Sequence, residues 1–414
     1  MNTATSRVVV TGLGVVGPSG IGAASLWSTL LEGRSAIVRL DRPALQGLPA
    51  SAGGPVPDFD PTPWIERRTA RRMGRFSQLA VVASLLALED AGLAQVDGER
   101  TAVTIHTGAG GLLEGDDEVL ARREDPGRTG PLYVPRVSAN MAAANTAIQL
   151  GVTGPVTAGV GACAAGAIAL VEGMHLLRRG EVDVVLAGGT DAILGPYLIS
   201  SLANAGALST ADGDPAAVSR PFDLDRTGFV ASEGAAILVL ETEEHAAARG
   251  ATPICELAGG AVGCDAYHIT APEPTGAGAE RVIRAALRSA GASPDDVDAV
   301  VAHGTGTRLN DNAEAAAIVR VLGDRAATVP LTAPKAAIGH TLGAAGAFGA
   351  VLAAQMLRSG VVPPTINYET PDPDCPVRVV AGEPLASSPR TVLSNAFAFG
   401  GQNAVVILRA ADAA

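Results

Sequence analysis

Two stretches of this chain, 180 residues apart, spell the same helix. Residues 163–180 read CAAGAIALVEGMHLLRRG and residues 343–360 read GAAGAFGAVLAAQMLRSG. Ala164, Ala165, Gly166, Ala167, Val171, Leu177, Arg178 and Gly180 recur at Ala344, Ala345, Gly346, Ala347, Val351, Leu357, Arg358 and Gly360. The shared Leu-Arg-x-Gly ending is a helix C-terminus with glycine past its last turn, and the apolar spacing repeats with it, so the chain is read as a duplication. Two similar halves, 1–250 and 251–414, are predicted, with a pseudo-symmetric core where the two small-residue helices approach each other.

The remaining pattern is α/β. Apolar strands are expected at 7–11, 102–106, 182–186 and 235–240 in the first half and at 254–258 and 297–302 in the second. They alternate with helices at 76–92, 278–290 and 312–322. Residues 35–63 read as a surface loop, and 112–145 as an irregular, partly helical insertion. The run 342–354 is too short to cross a bilayer and is expected as a buried core helix. The N-terminus has neither the apolar stretch nor the cleavage site of a secretory leader, which implies no export. Cys163, Cys255, Cys264 and Cys375 are few and irregularly spaced, as in a reducing cytoplasm, and they form no zinc-type pair. A net charge of −12 and only 3% aromatic residues exclude a polyanion binder or a stacked-base reader of nucleic acid.

Gly12, Gly14 and Gly17 complete a GxGxxG after the first strand. Pro18, Ser19 and Gly20 interrupt where a dinucleotide-binding helix would open, and Glu32 falls at a helix end. A nicotinamide-dependent oxidoreductase therefore stays a remote alternative. In 66–75, ERRTARRMGR, a helix would place Arg67, Arg71 and Arg75 on one face with Arg68 and Arg72 beside it. On so acidic a protein this is either a solvated face or a dock for an acidic partner.

Cys163 stands where an apolar strand enters the first copy of the repeated helix. Unsatisfied amides and partial positive charge at a helix N-terminus favour thiolate, which makes it a candidate nucleophile; the competing reading is a packed core thiol. Three further stretches carry polar residues a core does not need. VAHGTGTRLNDNAE supplies His303, Thr305, Thr307 and Glu314. TAPKAAIGH supplies Lys335 and His340, just before the second helix. NAFAFGGQN supplies Phe399, Gly400 and Gly401, whose small size lets backbone amides approach a ligand. Duplication brings His340 near Cys163. A thiol with two imidazoles suits acyl capture on sulfur followed by stabilisation of an enolate or oxyanion.

With VVVTGLGVV, SRPFDLDRTGFV, CDAYHIT, HGTGT, GHTLGAAGA and AFGGQN, these residues resemble the elongating β-ketoacyl-acyl carrier protein synthases of the thiolase superfamily. That family includes fatty-acid condensing enzymes and the ketosynthases of type II polyketide synthases, and the resemblance covers essentially the whole chain. It implies a duplicated five-layer αβαβα fold and a dimer formed across the strand at about 155–161. The dimer would be a homodimer or a heterodimer with a chain-length-factor-like subunit. It also implies decarboxylative condensation of an acyl thioester with malonyl-acyl carrier protein. Cys163 would carry the acyl chain, His303 and His340 would serve decarboxylation and the enolate, and the amides of Cys163 and Phe399 would form an oxyanion hole. Lys335 and Glu314 match a buried charged pair, Thr305 and Thr307 match pantetheine contacts, and Phe229 and Phe399 match gating residues. Gly400 is expected at the substrate. The arginine-rich segment matches the carrier-protein dock. No metal or resident cofactor is implied, because phosphopantetheine arrives on the carrier.

Ala164 and Ala165 stand where Thr-Ser is frequent, Ala398 replaces the first glycine of GFGG, and Gln402 replaces a threonine. TAPK is shared with chain-length-factor subunits, which leaves a non-catalytic, cavity-shaping partner as the alternative. Those subunits typically lack the cysteine and histidines kept here.

Overall fold

The computed structural model describes residues 6–41 and 43–411. Residues 1–5, part of the stretch read for a leader, Arg42 in the expected loop, and 412–414 lie outside it. In the first half, β1 (Val8–Gly17), β2 (Thr101–His106), β3 (Val156–Thr157), β4 (Val184–Asp191) and β5 (Gly234–Thr242) lie in the order β3-β2-β4-β5-β1. The second half has β6 (Cys255–Cys264), β7 (Ala299–Val301), β8 (Pro330–Thr332), β9 (Arg378–Val379), β10 (Thr391–Phe397) and β11 (Gln402–Ala410). These lie in the order β9-β8-β7-β10-β11-β6. Leaving out β9 at the outer edge, both halves read third-second-fourth-fifth-first, so the topology repeats as the helix does. The two sheets join where Val9 and Val10 of β1 pair with Glu256 and Cys255 of β6.

Strand residues alternate between faces because the side-chain period is two, and here both faces are buried. Ile237 and Val239 of β5 join the outer core under α1 (Arg75–Asp90), with Leu79, Ala80 and Ala83. Leu238 and Leu240 point inward to Leu170 and Met174 of α2 (Ala165–Arg178). On the far side, α3 (Ala277–Ser289) and α4 (Arg308–Leu322) cover the second sheet through Val282, Ile283 and Ile318 against Val300 and Leu393. Between the sheets, α2 lies beside α5 (Ala345–Ser359), whose Ala347 and Val351 share a core with Val185, Val392 and Leu408. Helix, sheet, paired helices, sheet and helices make the five layers, and the run at 342–354 is the buried α5.

The glycines of the GxGxxG serve this layering. A Cβ on Gly12 or Gly14 would lie 2.1 or 1.8 Å from the carbonyl oxygens of Ala87 or Ala83, and one on Gly17 would lie 2.7 Å from the Phe348 ring. These glycines let α1 and Phe348 rest on bare strand, and none opens a phosphate loop. The insertion at 112–145 contains helices Leu112–Arg122 and Tyr133–Val137 and leads into helix Met141–Leu150. The 35–63 segment holds one two-residue strand pair, Val38–Arg39 with Ala52–Gly53. No helix among the described residues is long and apolar enough to cross a membrane.

Candidate active site

β3 is short. Its continuation is tied to β2 by the bridge of Thr107 with Val160 and by the amide of Gly161 on the Thr107 carbonyl. The chain then tightens into a 3-10 turn, Ala162–Ala164, with Ala162 at φ 44°, and enters α2. Left-handed backbone at a non-glycine residue is strained, and this turn presents the next side chain, Cys163, inward at the helix start. Cys163 is 6% exposed. The duplicated turn, Leu342–Ala344, repeats the conformation, with Leu342 at φ 45°.

His303 follows β7 and His340 precedes the second turn. One ring nitrogen of each and the Cys163 sulfur lie within 4.8 Å of one another. The two imidazoles meet edge to face at 5.4 Å, and Phe229 packs on His340 at 5.0 Å. A cavity of about 550 Å³ opens onto them, lined also by Thr305, Thr307, Phe397 and Phe399. The Thr305 and Thr307 hydroxyls are 2.9 Å apart, and Thr307 caps α4 by accepting from the Asn310 amide.

The electrostatics oppose the thiolate expected from the helix terminus. Burial pushes the Cys163 thiol up to about 11, and the Asp191 carboxylate adds to the push. The Lys335 ammonium and the backbone N–H groups of Phe399 and Cys163 pull the other way without winning. The helix terminus is therefore outweighed by desolvation, and Cys163 rests as a thiol. Burial, then the Lys335 charge and each other's proximity, hold His303 well below its ordinary value of 6.5; burial and Lys335 do the same for His340. Both imidazoles are neutral near pH 7, so each can accept the thiol's proton or, through the ring nitrogen that carries hydrogen, donate to an oxyanion.

Lys335 and Glu314, the expected charged pair, are both buried and act on each other across His303 without a direct salt bridge. The ammonium donates to the His303 carbonyl at 2.5 Å and stands 3.4 Å from His303 Nδ1. Glu314 accepts from the amides of His303 and Gly304, both at 2.8 Å, and from the Asn395 side chain at 2.9 Å. The two charges thus grip the His303 backbone from opposite sides. Burial lowers Lys335 to about 8, while Glu314 and Cys163 act to raise it. A thiol and two imidazoles are also donors for a thiophilic metal ion, but the ammonium at this spot opposes a divalent cation.

A model described as "Beta-ketoacyl synthase, N-terminal domain" matches residues 5–246, and "Beta-ketoacyl synthase, C-terminal domain" matches residues 254–369. The chain belongs to the β-ketoacyl synthase family. Among β-ketoacyl synthases, it is 42% identical to the 3-oxoacyl-[acyl-carrier-protein] synthase 2 of Synechocystis, over 99% of both chains. The namesake in Staphylococcus aureus is 37% identical over 98% of this chain and 99% of its own. Of solved structures, the ishigamide ketosynthase/chain length factor superposes with a TM-score of 0.91 at 39% identity, covering 99% of this chain and all of the other. A type II PKS acyl-carrier protein in complex with its ketosynthase bound to the hexaketide also gives 0.91, at 34% identity over 98% and 100%.

Two expected site residues stand elsewhere in this β-ketoacyl synthase. The segment 66–75 is not one helix: Arg67–Ala70 is a single turn capped by the Glu66 carboxylate, and α1 begins afresh at Arg75. Arg67, Arg68, Arg71 and Arg72 are exposed, whereas Arg75 turns inward. Its guanidinium grips the buried Glu233 with two bonds of 2.7 Å and lies over the Phe59 ring. Gly400 does not line the cavity. Its φ of 81° makes the turn, and its amide is donated to the Ile269 carbonyl at 2.8 Å. Sequence reasoning missed the fully buried Arg226, which lines the cavity and is held by Asp372 at 2.6 Å. It also missed Asp191, whose only signal is a carboxylate closing the apolar strand VVLAGGTD.

Proposed function

We propose that this chain is the condensing subunit of a type II polyketide or specialised fatty-acid pathway, joining an acyl thioester to malonyl-acyl carrier protein to give 3-oxoacyl-acyl carrier protein. The observation that carries the reading is the convergence of one buried thiol and two neutral imidazoles on a cavity open to the surface. An imidazole takes the Cys163 proton as sulfur attacks the acyl-carrier thioester; the carrier thiol leaves protonated and the acyl group stays on sulfur. Malonyl thioester then loses carbon dioxide. His303 and His340 donate to the enolate oxygen, its carbon attacks the Cys163 thioester, and collapse returns the sulfur as the leaving group. Charge on the acyl oxygen is met by the amides of Cys163 and Phe399, which already face the sulfur.

Thr305 and Thr307 are suited to a pantetheine arm delivered by the carrier, so no resident cofactor is called for. The edge strand β3, with exposed Val156 and Val160, is suited to a partner's edge, either a second copy or a chain-length-factor-like subunit. The four cysteines are free thiols, which supports a cytoplasmic setting. The first half, 1–250, would supply the nucleophile and the second, 251–414, both imidazoles.

The test is mass spectrometry of Cys163 after incubation with acyl-carrier protein, followed by product analysis with malonyl-carrier protein. An acyl adduct and a 3-oxoacyl product are expected. No adduct on the wild type, with its partner subunit present, overturns the reading. Unchanged product with Cys163→Ala in the assembled complex would instead make this chain the cavity-shaping partner.

A further inference from the structure

The duplicated turns are used unequally. Cys163 and Gly343 occupy the same position, each after a left-handed residue and each at the head of a central helix. At the first turn the side chain is the nucleophile and the neighbouring strand end, beyond β10, sends in the Phe399 amide. At the second turn there is no side chain, and the end of β4 sends in a carboxylate. Asp191 is fully buried. It accepts from the amides of Gly343 at 2.6 Å, Gly108 at 2.9 Å and Ala109 at 2.9 Å, and from the Thr107 hydroxyl at 2.5 Å. A Cβ on Gly343 would lie 2.3 Å from the Gly108 nitrogen and 2.7 Å from Asp191 Oδ2, so the carboxylate and the backbone it holds together fill the space of the missing side chain.

These bonds lead to the nucleophile. Thr107 gives its hydroxyl to Asp191 and its amide to the Gly159 carbonyl, while its own carbonyl accepts from Gly161, two residues before Cys163. Ala109, held by the same carboxylate, joins the apolar cluster of Leu342, Phe229 and Phe399 beside the cavity. On the reading that the chain condenses acyl thioesters, we propose that Asp191 is a positioning residue: it locks the vacant twin turn and, through Thr107 and Gly161, the Cys163 turn into one unit. Its charge acts on the sulfur as well. The other ionisable groups facing Cys163 are His303, His340 and Lys335, with Glu314 behind Lys335. Of these, Lys335 lowers the thiol and Asp191 raises it.

Two near-isosteric variants test this, read by thermal unfolding, by the pH profile of iodoacetamide alkylation of Cys163, and by kcat and KM. Asp191→Asn removes the charge, so its alkylation midpoint should fall below the wild-type value. Its kcat for condensation should drop about tenfold to a hundredfold with KM for malonyl-carrier held, as misplaced reacting groups do. Thr107→Val cuts the link while keeping the Asp191 charge, and also removes the acceptor of the Gly110 amide; it should lose kcat in the same range without lowering the midpoint, and Thr107→Ser, which keeps both bonds, should restore it. Wild-type kcat in a folded Asp191→Asn, or in Thr107→Val should Asp191→Asn not fold, overturns the proposal. Wild-type protein that alkylates normally but takes no acyl group would overturn the condensing function instead.

Discussion

Gly166 of α2 and Gly346 of α5 cross on the pseudo-twofold axis with no side chain between them. A Cβ on Gly166 would lie 2.9 Å from the Ala347 nitrogen, and one on Gly346 would lie 2.7 Å from the Ala167 nitrogen. Each glycine meets the residue after its twin, as a twofold relation requires. Gly346→Ala must therefore push two backbones apart in a full core. It is expected to cost about 1–3 kcal/mol, as overpacking does. Thermal unfolding beside a Gly130→Ala control, where nothing lies within 4 Å of the added methyl, checks it.

Arg75 and its exposed neighbours should separate cleanly. Arg75→Ala leaves the fully buried Glu233 carboxylate without its cation, a loss of about 3 kcal/mol seen in the unfolding curve. Replacing Arg67, Arg68, Arg71 and Arg72 by alanine should leave that curve in place. It should weaken binding of acyl-carrier protein and flatten its salt dependence, measured by titration at two ionic strengths.

Lys335 sets the ionisation of the site in two directions. Below its own titration at about 8 its charge favours the Cys163 thiolate, so Lys335→Met should alkylate more slowly than the wild type near pH 7. The same charge disfavours the imidazolium forms of His303 and His340. Without it both protonate at higher pH, and the acid limb of the condensation profile should shift upward. Alkylation near pH 7 that speeds up, or an acid limb that moves down, contradicts this assignment.

In the proposed condensation, His303→Ala and His340→Ala would each remove a donor to developing negative charge. Condensation in each should fall on the order of 10²–10³, the scale of a lost oxyanion-type donor. Steady-state rates with malonyl-carrier protein, on variants shown by unfolding to be native, measure it.

Much of this was legible in order along the chain. The repeat at 163–180 and 343–360 marked the two central helices, and small residues recurring in register implied their close approach. Cys163, His303, His340, Lys335 and Phe399 could be singled out because each stands in a short polar or glycine-rich break between apolar elements. What order along the chain could not decide was electrostatic and angular. A helix terminus argues for a thiolate, but how far water is excluded from Cys163 depends on walls drawn from distant segments, and desolvation won. Arg67, Arg71 and Arg75 share a face only if one helix persists; the chain instead breaks at extended Gly74, and Arg75 turns to Glu233, 158 residues away. Asp191 lies beyond the strand expected at 182–186, and only folding sets it against Gly343, 152 residues on. Local spacing thus determined the elements and the side chains that converge on the candidate site. Charge, burial and the unequal use of the two turns were decided by contacts between segments distant in sequence, because those energies depend on distances in space.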